Sequence, residues 1–312
     1  MDTTSGHVPV MLDEVLEHLA PRPGQVWVDG TAGGGGHAAA LMERIRPGGR
    51  LFVLDRDSQA LERLIARFGR QGDIRYFHAN FCDFDLALAE AGEQRIDGVL
   101  LDLGLSSLQL ADPRRGFSFD RPGPLDMRFD PGDSVTAEEI VNRWDAGRLA
   151  AIFEEYGDQP ASRRIARAIV EARRRAPIRR TDELAEIVRA AVPLALRRQR
   201  IHPATRVFQA LRMAVNRELE SLETFFDKVF DYLKPGGRVA VMAFHSGEDR
   251  IVKDRFRQAA REGLVALPVA KPITPTQAEV AANPRSRSAR MRVAVRLPSA
   301  GGVLRGTLRR PS

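Results

Sequence analysis

Three aspartates, each closing a short apolar segment, are the residues of this chain best placed to do chemistry. Asp29 follows Val26-Trp27-Val28, Asp55 follows Leu51-Phe52-Val53-Leu54, and Asp102 follows Val99-Leu100-Leu101. The first leads straight into Gly30-Thr31-Ala32-Gly33-Gly34-Gly35-Gly36-His37. An apolar strand that enters a polyglycine turn and then a helix is how a doubly wound sheet opens a nucleotide pocket, because glycine takes positive φ and lets backbone amides approach a ligand closely. Gly33 to Gly36 alone would read as a flexible surface turn; the strand before and the helical pattern after favour a site.

Asp55 lies about 20 residues beyond that turn, where a carboxylate accepts hydrogen bonds from both ribose hydroxyls of a bound nucleoside. NAD enzymes and S-adenosylmethionine enzymes share that spacing. Asp29-x-Thr31-x-Gly33-x-Gly35 sets an acid at the strand end, suited to an amino-acid ammonium group, and lacks the G-x-G-x-x-G helix start that grips a pyrophosphate, so the methionine-derived cofactor is favoured. The alternative for Asp55 is helix capping, a role Asp57 or Ser58 serves equally well. Asp102, in Leu101-Asp102-Leu103-Gly104-Leu105-Ser106-Ser107, is placed to accept a hydrogen bond from an exocyclic amine, and Gly104 to admit a base; capping of the next loop is the competing role. Gln109 either holds an adenine edge or sits on a solvated loop.

His245 and Ser246 follow another apolar run, Val239 to Phe244, and are candidate catalytic residues; a structural histidine and a serine helix cap are the alternatives. His37 is ambiguous in the same way. His202-Pro203-Ala204-Thr205-Arg206 and Asn283-Pro284-Arg285-Ser286-Arg287-Ser288 combine arginine with small hydroxyl residues, which suits phosphate contacts or a solvated loop. No metal-ligand spacing is evident, and the single cysteine, Cys82, excludes an internal disulfide framework.

Periodicity and turn signals supply the elements that must position these groups. Strands are expected at Val26 to Asp29, Arg50 to Asp55, Ile74 to His78 and Ile96 to Leu101, with helices at Ala38 to Arg46, Ser58 to Phe68 and Phe84 to Ala91 between them. That alternation predicts an α/β Rossmann-like fold, a mostly parallel seven-stranded sheet with ligands at the carboxyl ends of its strands. After Asp102 the alternation stops. Leu110 to Asp133 reads as ordered loops, Thr136-Ala137-Glu138-Glu139 as a capping box, and helices follow at Ala161 to Arg174 and, capped by Thr181, at Asp182 to Ala191. A long helix from Thr205 to Leu233, a turn at Lys234 to Gly237, a strand at Arg238 to Phe244, a helix at Glu248 to Ala260, a short segment from Leu264 to Val269 and a strand at Met291 to Leu297 complete the chain. The organisation expected is therefore residues 1–109 and 206–312 as two parts of one sheet domain, with 110–205 as a helical insertion and a basic tail at the end.

At 312 residues the chain can bury a substantial core, and its composition is neither disordered nor fibrous. It has no apolar run near the roughly 18 residues that span a bilayer and no basic-then-apolar start, so a soluble cytoplasmic protein is expected. The net charge of +7 is unevenly spread: Ala161 to Arg212 holds 14 Arg against 4 acids, and Arg285 to Ser312 holds 8 Arg and no acid. Clustering of this kind points to a polyanionic partner, and Arg in place of Lys favours bidentate phosphate contacts, although an Arg-rich genome would also raise Arg throughout.

With those residues in view, the chain resembles the bacterial RsmH (MraW) family of rRNA cytidine N4-methyltransferases. The resemblance rests on His7-Val8-Pro9-Val10-Met11-Leu12, Gly33 to His37, Asp102 to Gln109, Arg115-Gly116-Phe117-Ser118-Phe119, Gly123-Pro124-Leu125-Asp126-Met127-Arg128, His202 to Arg206, Phe208-Gln209-Ala210-Leu211-Arg212, Phe244-His245-Ser246 and Asn283-Pro284-Arg285. It departs from the family pattern at Ala32, Leu108, Ala111 and Gly247. The resemblance implies methyl transfer from S-adenosyl-L-methionine to N4 of cytidine 1402 of 16S rRNA in the small ribosomal subunit. It also implies cofactor contacts at Gly35, Gly36, His37, Asp55, Phe81, Asp102 and Gln109; Asp29 and Gly33 join them on the reading of the turn, and RNA contacts are expected at Arg206, Arg212, Arg285 and Arg287 from the arginine clustering. Two other readings share parts of the pattern: an NAD-type oxidoreductase, which leaves the basic regions unexplained, and a non-catalytic RNA-binding assembly factor. Monomer and homodimer are both compatible with the sequence.

Overall fold

The apolar segments that end in aspartate lie side by side. In the computed structural model, which describes residues 9–70, 72–194 and 202–298, β1 (Val26–Asp29), β2 (Arg50–Asp55), β3 (Ile74–His78) and β4 (Ile96–Asp102) pair in parallel. Parallel to β4 runs β5 (Leu233–Ala243), and β7 (Arg290–Arg296) lies antiparallel between β5 and β6 (Val265–Ala266). The described residues form the mostly parallel seven-stranded sheet expected, and its strand order is β3-β2-β1-β4-β5-β7-β6.

Both faces of this sheet are covered, which is why its central strands read as unbroken apolar runs. Successive side chains alternate between two cores. Trp27, Leu51, Val53 and Leu100 pack under α1 (Leu12–Leu19), α2 (Gly36–Ile45) and α3 (Ser58–Phe68). Val28, Phe52, Val99 and Leu101 pack against α4 (Phe84–Glu90) and the helices that follow the insertion. Gly98 is a demand of this packing, since a Cβ there would lie 2.2 Å from the Trp27 ring on the neighbouring strand.

The short α5 (Ser107–Ala111) leads into the insertion, where α6 (Ala137–Arg143), α7 (Ala146–Glu155), α8 (Ser162–Arg173), α9 (Thr181–Ala191) and α10 (Pro203–Asn216) build a third core around Phe153, Ile165, Leu184 and Leu211. That core runs from Phe117 to Val215, so the division expected at residue 205 falls inside α10. Thr136 caps α6 as expected, accepting the Glu139 amide at 3.1 Å. Thr181 does not cap α9: its hydroxyl accepts the Gly123 amide, and Glu183 takes the Arg179 and Arg180 amides instead. No helix was expected at α7, which Asp145 caps through the Arg148 amide.

The single long helix expected from Thr205 to Leu233 is three: α10, α11 (Glu218–Phe226) and α12 (Val229–Tyr232). Arg217 breaks it by taking a left-handed φ of 51°, and the Asn216 carbonyl accepts a hydrogen bond from Arg56 Nη1. The turn expected at Lys234 to Gly237 lies inside β5 as an irregularity. There Ile96 pairs with Leu233 and Gly98 with Arg238, so the extra residues loop out of register. After β5 come α13 (Ser246–Arg261) and α14 (Gln277–Ala282). His7, Val8 and the basic tail beyond residue 298 lie outside the described residues, as do Arg197, Arg198 and Arg200 of the insertion. Among the described residues no helix is long and apolar enough to cross a membrane, and no group of three or more His, Cys, Asp or Glu is placed to hold a metal ion.

Candidate active site

The strand order reverses between β1 and β4, and a cavity of about 740 Å³ opens at their carboxyl ends. Its floor is the glycine turn. Gly33 and Gly35 take φ of 47° and 75°, and Gly35 leads into α2, whose first amides face the cavity. A Cβ at Gly35 would lie 2.2 Å from Leu64 Cδ2, so α3 packs against bare backbone here. Thr31 ties the two strand ends together, its hydroxyl accepting the Asp102 amide at 2.6 Å.

Asp102 faces this space from the end of β4. Its Oδ2 lies 3.6 Å from His37 Nδ1, and Oδ1 is buried with no hydrogen-bond partner. The His37 ring is oriented by its other nitrogen, which donates to the Val10 carbonyl at 2.9 Å. Burial, then the charges of Asp29 and Glu248, push the Asp102 carboxyl up to about 8. Asp29 lies beneath the turn, fully buried; Oδ1 accepts the Thr31 amide at 3.2 Å and Oδ2 has no partner. Burial, opposed by that amide and reinforced by Asp55, raises it to about 7. Asp55 accepts the Gly33 and Asp57 amides, each at 2.8 Å, and burial still leaves it above the usual carboxylate range. Buried carboxylates short of partners and reluctant to ionise are a donor set suited to a cationic ligand. They fit the sulfonium and ammonium charges of S-adenosylmethionine, and Asp55 fits its ribose.

On the far side of the cavity a second ionic group faces Asp102. Arg212 on α10 donates from Nε and Nη2 to Glu218 Oε1 and Oε2, both at 2.8 Å. Glu248 on α13 accepts the Phe244 amide at 3.0 Å and lies 3.0 Å from His245 Nε2. Burial alone would raise Glu248, but His245, Arg212 and the Phe244 amide outweigh it and hold the carboxylate below its ordinary value.

The loop from Asp126 to Asp133 reaches the cavity wall at Phe129 and is fastened from several sides. Arg56 pairs with Asp133 at 2.6 Å and lies 5.8 Å from the Phe129 ring, and His78 Nε2 is 3.1 Å from Asp130. Asn216 completes the fastening, accepting the Phe129 amide and donating to the Met127 carbonyl. Arg115 pairs with the buried Asp57 at 2.8 Å and donates to the carbonyls of Arg128 and Phe129. The opposite rim joins distant parts of the chain. Glu279 accepts the Met11 amide at 2.6 Å, and Arg285 donates to Ser107 Oγ.

Of the residues singled out by sequence, Gly33, Gly35, Gly36, His37, Asp55, Phe81, Asp102, Gln109, Arg212 and Arg285 line one cavity, with Asp29 directly below. Gln109 is engaged within the fold: Oε1 accepts the Ser106 amide, and Nε2 donates to Asp57, the residue that caps α3. The structure does not bring His245 and Ser246 into the cavity lining. His245 caps α13, its Nδ1 accepting the Glu248 amide, and Ser246 Oγ donates to Asp158 at 2.8 Å. Arg206 also lies away from the cavity, donating to the Asp158 carbonyl, and Arg287 is exposed. The sequence reading missed Glu248, Glu218, Asn216 and Arg56. The only available signal was Glu248 three residues beyond His245, which marks a helix start before it marks a site.

A model of the MraW methylase family matches residues 4–297. The ribosomal RNA small subunit methyltransferase H of Nitratidesulfovibrio vulgaris (strain DSM 19637 / Miyazaki F) is 50% identical over 311 residues, covering 93% of this chain and 86% of that protein. Its namesake from Pelobacter propionicus is 47% identical, covering 93% of this chain and 98% of that protein. Among solved structures, an rRNA methylase from Streptococcus thermophilus aligns with a TM-score of 0.42 at 11% identity, over 92% of this chain and 94% of that one.

Proposed function

Because this chain belongs to the MraW methylase family, we propose that it transfers a methyl group from S-adenosyl-L-methionine to the N4 amine of cytidine 1402 of 16S rRNA, acting on the small ribosomal subunit in the cytoplasm. The observation that carries this reading is Asp102, a buried carboxyl at the cavity wall whose Oδ1 has no hydrogen-bond partner among the described residues. S-adenosyl-L-methionine, when bound, supplies a methyl group already activated by its positive sulfonium, so no metal is needed.

Asp55 holds the ribose hydroxyls, the amides from Gly33 to His37 and the buried charge of Asp29 hold the amino-acid end, and Phe81 and Gln109 flank the base. Asp102 accepts an N–H of the cytosine amine, aims its lone pair, and takes up the proton that the amine sheds. His245 acts through Glu248, which it keeps ionised, and Ser246 through Asp158. The sheet domain serves as the catalytic unit, while the helical insertion, whose core continues through α10, positions the rRNA together with Arg206, Arg212, Arg285 and Arg287. A base within folded rRNA must be turned out of its stack to reach the cavity.

Small subunits from a strain lacking the modification, incubated with protein and labelled cofactor and analysed by nuclease digestion and mass spectrometry, test this. One methylated cytidine, at N4, is expected. Label on another atom or on no cytidine refutes the reading.

A further inference from the structure

We propose that Arg212 reads the target base, donating from Nη1 to ring nitrogen N3 beside the amine that Asp102 receives. The inference rests on the cytidine reading above and names the group that would select the base. Two of the three guanidinium nitrogens are committed, Nε and Nη2 gripping both oxygens of Glu218. The pair is nearly buried, with side chains 13% and 9% exposed, so the plane of the fork is fixed. Nη1 makes no hydrogen bond among the described residues, and Arg212 forms part of the cavity wall.

What separates Nη1 from the Asp102 loop is a gap where a side chain is missing. Gly104, two residues beyond Asp102, takes a φ of 104°, a conformation open to glycine. A Cβ built there would be 4.0 Å from Arg212 Nη1 and 3.8 Å from Phe244 Cδ2, at ordinary contact distance from both. Bare backbone at Gly104 keeps Nη1 open to the cavity that Asp102, Gly104 and Arg212 line together, so a base seated there has both the carboxyl and the guanidinium N–H within its surroundings.

That order of groups, acceptor then donor, is complementary to one kind of base edge. Cytosine presents a donor amine next to an acceptor ring nitrogen. Uracil presents the reverse, O4 beside N3–H, and the Watson–Crick edge of guanine sets N1–H beside its amine. Each of those sets donor against donor at Arg212, and a buried polar group left unpaired is what makes such a site reject a near-isostere. The adenine amine has the same donor-acceptor order as cytosine, so this pair selects the edge, and cavity shape must select the pyrimidine.

The test replaces N3 by carbon. Small subunits reconstituted with rRNA carrying 3-deazacytidine at the target position are compared with cytidine subunits, using the full-length protein and the Arg212→Met/Glu218→Gln variant, which removes both buried charges. For the unaltered protein kcat/KM is expected to fall about 10- to 100-fold with 3-deazacytidine, the range for a hydrogen bond from a charged donor. For the variant, activity on cytidine is expected to fall by a similar factor with no further loss on 3-deazacytidine. A variant that keeps the full ratio, or an unaltered protein with a ratio near one, overturns the proposal. Folding is checked by calorimetric cofactor affinity. Should the double variant fail to bind cofactor, Glu218→Gln, which loosens the fork while keeping its charge, decides by whether the ratio shrinks or stays. Failure of the unaltered protein to methylate cytidine subunits at all refutes the cytidine reading instead, and the inference with it.

Discussion

Cofactor binding should release protons, and Asp102 should supply most of them. At pH 7 a carboxyl at about 8 holds about 0.9 proton and one at about 7 about half a proton. If the sulfonium and ammonium charges of the donor draw both back to the ordinary carboxylate range, binding expels about 1.4 protons. The sign follows from the direction of the shifts: the ligand-free site is protonated, the ligand prefers it ionised, so affinity rises with pH from about 4 towards 8, most steeply below about 7, and levels off above 8. The ligand-free protein behaves oppositely, losing stability as pH climbs from about 4 towards 8, because the unfolded aspartates ionise first. Isothermal titration calorimetry at pH 7 in phosphate and in Tris gives the proton count from the difference in apparent heat. Asp102→Asn should lower it by about 0.9, a comparison in which the ligand's own ionisation cancels. S-adenosylhomocysteine, which lacks the sulfonium charge, should release fewer protons than the methyl donor. Heats independent of buffer, or an Asp102→Asn variant that releases as many protons as the original, would refute the electrostatic argument.

Other perturbations test the scaffold. Gly98→Ala drives a Cβ into the Trp27 ring between β1 and β4 and should cost about 1–3 kcal/mol in urea denaturation while leaving the cofactor Kd of the folded protein near its original value. Arg115→Ala strands the buried Asp57 carboxylate and should cost about 3–5 kcal/mol, with Arg115→Ala/Asp57→Asn recovering part of it in the same assay. Asn216→Ala releases the Phe129 amide and the Met127 carbonyl, and should destabilise by about 1–3 kcal/mol and weaken cofactor binding in calorimetry. If Arg285 contacts a phosphate, Arg285→Ala should lower the slope of log affinity for the subunit against log salt by about 1 in filter binding; an unchanged slope removes that contact.

The carboxyl-end carboxylates were legible because strand ends carry a topological rule: whatever follows an apolar parallel strand faces the ligand crevice. Asp29, Asp55 and Asp102 needed nothing else to be found. The opposite wall was hidden because it depends on chain direction, which local pattern does not encode. Arg212 and Glu218 meet only because Arg217 turns the chain through a left-handed conformation, and an arginine carries no sign of taking one. His245 was misleading for a related reason. A polar residue at a strand end is also the residue before a helix, and here capping uses the ring while Glu248, one turn later, reaches the cavity. The insertion's core was visible as apolar periodicity in α8 and α9. The Gly123–Thr181 bond was not, since it joins a loop to a helix 58 residues away.

The rim of the cavity is stitched from residues far apart in the chain, Met11 to Glu279 across 268 positions and Ser107 to Arg285 across 178. Contacts that far apart carry the largest loop-closure cost and form after the local ones. A protein caught during synthesis would hold most of its sheet and all of its glycine turn, yet have no mouth to the pocket until α14 and the segment after it arrive.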